Sequence, residues 1–296
     1  MQNKKVLVTG ATGLIGSQLA QPLRQKGFDV HALTVNDANP NNGFKWIHAN
    51  LFDTASISDI VKAIKPQYLL NLAWATTGDY LSSDLNYSFL TAGINLARAF
   101  AQNGGKRAVY AGTCFEYKFK DSPLRETDEL DAEKTTYTFC KNALREISGR
   151  IFSAYGIEFG YGRVFYVYGR NEASTRLTAS VIARLRKGEN VEIKAGPLKK
   201  DYIYTKDIAN AFVALLDSHV SGPVNICTGH AITIREYVTK IANKLNRTEL
   251  LSFHDDFGNQ PPVIEGDNTR LTKEVGYTPK YSLSDAITEI LTEGSI

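Results

Sequence analysis

Two residues of this chain, Tyr137 and Lys141, have the types and the spacing needed for proton transfer. In a helix, residues four apart lie one above the other, so the phenol and the ammonium would point into the same space. A positive charge beside a phenol lowers its pKa from about 10 towards the range that a general acid or base requires. The spacing alone is a weak signal, because Tyr202 and Lys206 repeat it. The surrounding elements must therefore distinguish the two pairs.

The first half of the chain alternates short apolar runs with amphipathic segments. This alternation predicts an α/β fold built on a doubly wound parallel sheet with right-handed crossovers. We expect helices after the first strand as far as residue 27, at residues 57–64, at 85–103 and from 137 to about 155. We expect strands at residues 5–9, 28–33, 44–48, 68–73, 107–111 and 159–167.

Shorter and more mixed elements follow Gly169. We expect helices at residues 177–187, 207–217, 234–245 and from 283, and strands at 191–194, 201–204, 223–226 and 250–253. Such elements suit a smaller, mixed α/β C-terminal lobe that caps the carboxyl edge of the sheet, where open α/β folds bind their ligands. We therefore predict a first domain at residues 1–169 and a substrate lobe at 170–296, with residues 201–228 returning to the first domain.

A glycine-rich segment, Gly10-Ala-Thr-Gly13-Leu-Ile-Gly16, follows the first strand and opens the first helix. Glycines at these positions permit a tight turn and a close approach of the backbone to a pyrophosphate, and the helix N-terminus supplies amide donors. The position directly after the first strand of a β-α series favours a Rossmann dinucleotide-binding domain over a turn without a ligand. The alternative of a purely structural turn stays open at this stage.

Six segments, in order along the chain, carry a resemblance to a known family. They are Thr9-Gly10-Ala11-Thr12-Gly13-Leu14-Ile15-Gly16, Tyr137-Thr-Phe-Cys-Lys141, Arg163-Val-Phe-Tyr-Val-Tyr-Gly169, Asp201-Tyr-Ile-Tyr-Thr-Lys-Asp207, Asn225-Ile-Cys-Thr-Gly229 and Glu274-Val-Gly-Tyr-Thr-Pro279. The chain thereby resembles the extended short-chain dehydrogenases/reductases, of the NAD-dependent epimerase/dehydratase type that modifies nucleotide sugars. The resemblance spans nearly the whole chain.

The resemblance separates the two Tyr-Lys pairs and adds a third catalytic candidate. Tyr202 and Lys206 fall where the family has a strand running into a helix, so the two side chains would be roughly 13 Å apart. Thr113 stands where the family has the Ser or Thr that holds the reacting oxygen against the tyrosine hydroxyl. The alternative for Thr113 is a capping or turn threonine. The implied catalytic set is therefore Thr113, Tyr137 and Lys141.

The resemblance also implies a nicotinamide dinucleotide, either NADP or NAD, with Lys141 binding its ribose and lowering the pKa of Tyr137. Thr34 replaces the Asp that NAD-preferring relatives usually carry after the second strand, and Asn50 replaces another family Asp. The missing carboxylate would have repelled a 2′-phosphate, so we favour NADP, although no Arg follows to bind that phosphate. The implied cofactor contacts are Gly10, Thr12, Gly13, Leu14, Ile15, Asn36, Asn50, Leu51, Ala73, Trp74, Ala75, Tyr137 and Lys141.

For the substrate, the resemblance implies a nucleotide sugar. Lys200 replaces an Arg of relatives and, with Arg270, is a candidate to meet the diphosphate, although either residue alone is an ordinary surface charge. Tyr166 replaces an Asn common in the family, which alters a sugar contact. Cys114 is a candidate to line the pocket, and the alternative is that it is a small buried thiol in the core. The implied substrate contacts are Thr76, Thr77, Tyr80, Cys114, Phe115, Tyr166, Lys200 and Arg270.

The pair Cys114-Phe115 bears on the reaction. Sugar 4,6-dehydratases of the family carry an Asp-Glu pair there, and neither Cys nor Phe moves a proton in that role. Two enzyme hypotheses remain: reduction of the 4-keto group of a nucleotide-linked deoxysugar, which we favour, and C4 epimerisation with tightly held NAD. A dinucleotide-sensing protein without catalysis is a more distant alternative, and the intact Thr113, Tyr137 and Lys141 argue against it.

Composition argues against several other classes of protein. The net charge of +3 and the scattered basic residues predict neither a nucleic-acid nor a membrane surface. Three widely spaced cysteines and dispersed histidines predict no disulfide framework and no metal site. The N-terminus does not resemble a signal peptide and no apolar run reaches the length of a membrane span, so a cytoplasmic enzyme is expected. The resemblance implies a homodimer formed by helices near 85–103 and 136–156.

Overall fold

The structure is a computed structural model that describes residues 4–35, 43–131, 133–256 and 258–292. The strands are β1 (Lys4–Thr9), β2 (Phe28–Thr34), β3 (Lys45–His48), β4 (Tyr68–Asn71), β5 (Arg107–Thr113), β6 (Glu158–Val164), β7 (Tyr166–Tyr168), β8 (Val191–Ile193), β9 (Lys199–Lys200), β10 (Tyr202–Tyr204), β11 (Gly222–Ile226), β12 (Ile232–Thr233), β13 (Leu251–Phe253) and β14 (Val263–Ile264). The helices are α1 (Ala20–Gln25), α2 (Thr54–Ile64), α3 (Leu85–Gln102), α4 (Thr136–Ala154), α5 (Leu177–Arg186), α6 (Thr205–Leu216), α7 (Ile234–Leu245) and α8 (Leu283–Thr292).

Seven of these strands form one parallel sheet in the order β11-β6-β5-β4-β1-β2-β3. The strand order reverses between β1 and β4, which is the point where doubly wound sheets open a crevice at their carboxyl ends. The predicted α/β class with a Rossmann-like parallel sheet is confirmed.

Alternating side chains of β1 explain why helices cover both faces of this sheet. Val6 and Val8 pack in one cluster with residues of α1 and α6, whereas Leu7 lies in a second cluster with residues of α2, α3 and α4. A strand that is buried on both faces reads as a continuous apolar run, as β1 does. On the second face α3 and α4 approach closely, since a Cβ on Gly93 would lie 2.8 Å from Leu144 Cδ1.

Two elements of the predicted first domain differ from the sequence prediction. The segment after β1 begins with a short 3₁₀ turn at Gly16–Gln18, and α1 starts only at Ala20. Pro22 therefore lies in the first turn of α1, where its missing N–H is not needed. The strand predicted at 159–167 is two strands, because the chain leaves the main sheet at Phe165 and β7 pairs with β10 instead.

A separate apolar cluster is formed by side chains of α5, α7 and α8 and of the short strands β7, β8, β10, β12 and β13. β11 pairs with β6 and extends the main sheet. The predicted division at residues 169 and 170 stays a prediction.

In the described ranges, no helix combines the length and the apolar character needed to cross a membrane.

Candidate active site

A cavity of about 510 Å³ opens at the carboxyl ends of β1, β4, β5 and β6. Strands that run parallel end at the same edge of the sheet, so the residues that follow them meet there. Most of the residues predicted from the sequence line this cavity: Gly10, Thr12, Gly13, Leu14, Ile15, Trp74, Ala75, Thr76, Thr77, Tyr80, Thr113, Cys114, Phe115, Tyr137, Lys141 and Tyr166.

The glycine turn after β1 is packed too closely for side chains. A Cβ on Gly16 would lie 2.0 Å from the Gly10 carbonyl oxygen, and one on Gly10 would lie 2.7 Å from the backbone nitrogen of Ala73. Gly10 also has a φ of +71°, which favours glycine. The Thr9 hydroxyl accepts a hydrogen bond from the Ala73 N–H over 3.3 Å, which fixes the turn against the end of β4. The turn thus presents bare backbone to the cavity.

Tyr137 lies in the first turn of α4, and Lys141 lies one turn later. Thr135 caps this helix by accepting a hydrogen bond from the Thr138 N–H, with the reciprocal bond also present. The Lys141 ammonium donates to the Ala111 carbonyl oxygen at 2.8 Å and lies 5.8 Å from the centre of the Tyr137 ring. All three catalytic candidates are buried, and α4 holds the phenol and the ammonium on one face as predicted.

Burial dominates the protonation of both α4 residues. It raises the pKa of Tyr137 well above its ordinary value, an effect that the nearby Tyr80 strengthens and the hydrogen bond with Thr113 opposes. It lowers the pKa of Lys141 to about 7, with the Glu116 carboxylate acting in the opposite sense. For Tyr137, burial therefore outweighs the hydrogen bond that lowers the pKa, and the expectation that Lys141 lowers this pKa stays a prediction.

Thr113 ends β5 and is positioned by a buried carboxylate. Glu116 accepts hydrogen bonds from the Thr113 N–H at 3.0 Å and from the Tyr161 hydroxyl at 2.8 Å, and its other oxygen accepts from Arg163 Nε at 2.9 Å. Glu116 is completely buried and Arg163 almost completely. The Thr113 hydroxyl in turn accepts from the Phe115 N–H. Thr113 therefore caps a short 3₁₀ turn, which is the alternative role the sequence left open, and lines the cavity as well.

Aromatic side chains form the wall around the catalytic candidates. The Trp74 indole donates to Asn86 Oδ1 at 2.7 Å and stacks on Phe89. The Tyr80 ring meets the Tyr137 ring edge to face, with 5.2 Å between centroids. Phe115 meets Tyr166 in the same way at 5.8 Å. This wall surrounds the Tyr137 phenol with apolar surface, which accounts for its raised pKa.

Cys114 lines the cavity beside Phe115 and is 2% exposed. Burial raises the pKa of its thiol, so the thiolate is disfavoured. Its two neighbours on the cavity wall, Phe115 and Tyr166, carry no group that abstracts a proton at neutral pH. The position that holds an acid-base pair in the family's dehydratases thus contains none here.

Five predicted residues that the structure describes do not line the cavity: Asn50, Leu51, Ala73, Lys200 and Arg270. The backbone of Ala73 packs against Gly10. Asn50 Oδ1 accepts a hydrogen bond from the Phe52 N–H. Lys200 is buried, its ammonium 5.4 Å from the centre of the Tyr166 ring, and burial lowers its pKa to about 8. Leu51 packs against the apolar cluster beneath α2 and α3. Asn36 lies outside the described residues.

Arg270, which we expected to meet the diphosphate, does not line the cavity. Its guanidinium forms an ion pair with Glu274 at 2.9 Å and donates to the backbone carbonyls of Pro223 and Ser221. These bonds hold it against β11, away from the cavity lining, because Glu274 lies one helical turn further along and supplies the nearest carboxylate. The second Tyr-Lys pair also separates: Tyr202 stacks on Tyr237, and Lys206 bonds to Glu289.

Sequence reasoning missed the loop between β7 and α5. Asn171, Ala173 and Arg176 of this loop line the cavity. Asn171 has a left-handed φ of +62°, a conformation that Asn tolerates better than most residues. Between them Glu172 is buried, and its pKa is raised to about 7 by burial. The only sequence signal was that the loop follows the strand Tyr166–Tyr168 at the same edge of the fold.

Within the described ranges no cluster of His, Cys, Asp and Glu is suited to a metal ion.

Comparison with known proteins places this site in a family. A sequence profile described as the NAD dependent epimerase/dehydratase family matches residues 6–227. A UDP-glucose 4-epimerase of Rhizobium meliloti (strain 1021) is 24% identical over 98% of this chain and 96% of its own length. A dTDP-4-dehydro-6-deoxyglucose reductase of Escherichia coli is 22% identical over 97% and 96%. A solved UDP-glucose 4-epimerase of Thermotoga maritima, crystallised with UDP-glucose, has a TM-score of 0.87 at 20% identity and covers 98% and 99%.

The chain belongs to the NAD dependent epimerase/dehydratase family, because the profile covers most of its length. The resemblance inferred from its motifs is confirmed, and so is the expectation of an NAD(P)-dependent enzyme of the extended short-chain dehydrogenase/reductase type. The solved structure shares the fold alone at this level of identity.

Proposed function

We propose that this protein reduces the 4-keto group of a nucleoside-diphosphate-linked deoxysugar with NAD(P)H. The observation that carries the proposal is the convergence of Thr113, Tyr137 and Lys141 on one cavity whose wall holds Cys114 and Phe115 where a dehydratase needs an acid and a base. Relatives at similar identity include both a 4-keto sugar reductase and UDP-glucose 4-epimerases, so sequence similarity supports the substrate class more than the reaction.

The residues of the site fit a dinucleotide. The bare backbone of the glycine turn leaves room for a pyrophosphate, and the Lys141 ammonium has donors left beyond the one given to Ala111. When bound, the nicotinamide supplies the hydride. Thr34 at the end of β2 still supports our preference for NADP, since it carries no charge against a 2′-phosphate.

The side chains of the chain handle the proton. As negative charge develops on the sugar carbonyl oxygen, the Thr113 hydroxyl hydrogen-bonds to that oxygen and the Tyr137 phenol transfers its proton to it. The product is the C4 alcohol, and Tyr137 is left as phenolate until a proton from solvent replaces the one it gave. Lys141, when protonated, stabilises this phenolate.

The raised pKa of Tyr137 is suited to the proton donor of a reductase. Burial keeps its hydroxyl protonated throughout the neutral range, which is the form that a proton donor needs. An epimerase must first oxidise C4 and so needs Tyr137 as a base. The C4 epimerase therefore stays a second candidate, supported by the relatives with that activity.

The test uses purified protein, NADPH or NADH, and a nucleoside-diphosphate 4-keto-6-deoxyhexose. Stoichiometric loss of absorbance at 340 nm with formation of the reduced sugar is expected, whereas isomerisation of a nucleotide sugar without net change at 340 nm contradicts the reductase. Tyr137→Phe is expected to lower kcat by about 10²- to 10⁴-fold and to leave cofactor binding intact. Tyr202→Phe, the matched change in the second Tyr-Lys pair, is expected to leave kcat unchanged.

We also propose that the protein forms a homodimer through α3 and α4. Support comes from exposed large apolar side chains on these helices, Leu85 and Tyr87 on α3 and Phe139 and Ile147 on α4. Apolar side chains grouped on adjacent helices are typical of subunit interfaces.

A further inference from the structure

One buried amide, that of Asn86 in the first turn of α3, bonds to three groups of the loop that follows β4. Its Oδ1 accepts a hydrogen bond from the Trp74 indole N–H at 2.7 Å. Its Nδ2 donates to the backbone carbonyls of Tyr80 and Ser83, each at 2.7 Å. Asn86 is 2% exposed, and only this orientation of its amide matches every donor with an acceptor. Asn86 therefore holds both ends of the segment 74–83 against α3.

The first end of this segment carries the indole that faces Lys141. The Lys141 ammonium lies 4.1 Å from the centre of the Trp74 ring, and Phe89 of α3 stacks on the same indole. The attraction between a cation and an aromatic ring depends on the charge lying over the face of the ring. Because the bond from the indole N–H to Asn86 fixes the rotation of the side chain, it also fixes where that face points.

The second end of the segment lies against Tyr137. The Tyr80 ring meets the Tyr137 ring edge to face, with 5.2 Å between centroids. Between the two carbonyls that Asn86 holds, the Leu81 carbonyl oxygen accepts a hydrogen bond from the backbone N–H of Tyr137 at 3.0 Å. That N–H lies in the first turn of α4, where the helix itself supplies no acceptor. The turn held by Asn86 thus contacts both the backbone and the ring of Tyr137.

Asn86 does not line the cavity, so it can act on the reaction only through the groups that it holds. Without its amide, one indole N–H and two backbone carbonyls would lose their partners. Polar groups left unpaired away from solvent are costly, so the segment would rearrange to find other partners. Both rings that contact the catalytic pair would move with it.

We propose that Asn86 is a positioning residue for the reduction, whose single amide aims the Trp74 face at Lys141 and sets the Tyr80 ring against Tyr137. The proposal rests on the proposed function, because it assigns Asn86 a part in that reaction. The placing of the rings can nevertheless be measured without turnover.

The test observes the lysine and the indole by NMR. In protein labelled with ¹³C-lysine, the shift of the Lys141 Cε, assigned with Lys141→Arg, gives its pKa, and the indole N–H resonance of Trp74 reports its hydrogen bond. The proteins are wild type, Asn86→Leu, Trp74→Leu and the double variant. Asn86→Ser, which is too short to reach all three partners, replaces Asn86→Leu if the latter does not fold. Asn95→Leu is the control, since Asn95 also lies on α3 and bonds to Thr54 of α2.

Asn86→Leu is expected to move the Trp74 indole resonance and to lower the pKa of Lys141 by about half a unit to one and a half units, as Trp74→Leu does. The double variant should show no further fall, because both changes remove the same contact. The Glu116 carboxylate, whose charge also acts on Lys141, is unchanged in all these proteins. At pH 8, kcat/KM should fall by about three- to thirtyfold, and Asn95→Leu should match the wild type.

A Lys141 that titrates alike in the Asn86 variant and the wild type overturns the proposal. Shifts of the two single variants that add in the double variant overturn it as well, because Asn86 would then not act through Trp74. If the NMR shifts are as expected but no 4-keto sugar is reduced, the proposed function fails and the role of Asn86 in placing the rings stands.

Discussion

The ammonium nitrogen of Lys141 lies 4.1 Å from the centre of the Trp74 ring. The indole is fixed by its bond to Asn86 and by stacking on Phe89, so it offers a rigid π-face to the charge. A cation over an aromatic face is stabilised relative to its neutral form. This contact therefore opposes the burial that lowers the pKa of Lys141 to about 7.

Trp74→Leu is expected to lower the pKa of Lys141 further, by about half a unit to one and a half units. Turnover that needs the protonated lysine would then be lost at lower pH, so the alkaline limb of the kcat/KM profile moves down by the same amount. Trp74→Phe is expected to move it less. Trp46→Phe, on β3 and away from the cavity lining, serves as the control. Superimposable profiles for all four proteins would show that the ring does not act on the lysine.

Lys141→Met is expected to stabilise the cofactor-free protein near neutral pH. The pKa of Lys141 falls from 10.5 to about 7 on folding, so the unfolded chain binds the extra proton between these values. Wild-type stability therefore rises with pH across this window, and below pH 7 the fold bears the full cost of burying the ammonium. The variant lacks this cost, which gives a gain of roughly 3 to 5 kcal/mol at pH 6 that shrinks towards pH 10.5.

Urea unfolding of both proteins between pH 6 and pH 10 measures this difference. Lys118→Met, which removes an exposed lysine, is the control and should show little effect at any pH. A difference between Lys141→Met and wild type that does not vary with pH would argue for a packing effect rather than a buried charge.

Glu116 and Arg163 are expected to contribute to stability as a unit. Glu116→Gln leaves a buried guanidinium without its carboxylate, and Arg163→Met leaves a buried carboxylate without its guanidinium; each is expected to cost about 3 to 5 kcal/mol. The double variant removes both charges and should cost clearly less than the sum of the two. Urea unfolding of the four proteins gives the coupling. Additive losses would contradict direct pairing of the two side chains.

Phe139→Asp is expected to convert the dimer to a monomer, since it places a charge in the proposed interface at a side chain that is 45% exposed in the single chain. Light scattering after size-exclusion chromatography measures the mass. Val35→Asp, at a residue after β2 that is also exposed, should leave the mass unchanged. A wild-type protein that is monomeric at micromolar concentration would refute the dimer itself.

Local patterns were enough to predict the parallel sheet, the glycine turn and the face shared by Tyr137 and Lys141. Each depends on residues that are close in sequence, such as the strand Lys4–Thr9 followed directly by Gly10. Spacing alone did not separate Tyr202 and Lys206 from this pair; the family resemblance did, and the structure places the two residues in β10 and α6.

Contacts between residues far apart in sequence could not be predicted from local patterns. Glu116 meets Arg163 across 47 positions, and Arg176 meets Thr76 across 100. Arg270 carries a charge suited to a diphosphate, but in the fold its guanidinium already donates to the Glu274 carboxylate and to two backbone carbonyls. The raised pKa of Tyr137 likewise depends on how completely the surrounding wall excludes water, which no spacing encodes.

Trp74 also makes the cavity visible to spectroscopy. The chain has only two tryptophans, and the other, Trp46, lies in β3 away from the cavity lining. In a Trp46→Phe background, all indole emission therefore comes from the cavity wall. Reduced nicotinamide absorbs where indole emits, so energy transfer from Trp74 would report each cofactor molecule that binds or leaves, in real time and without a label.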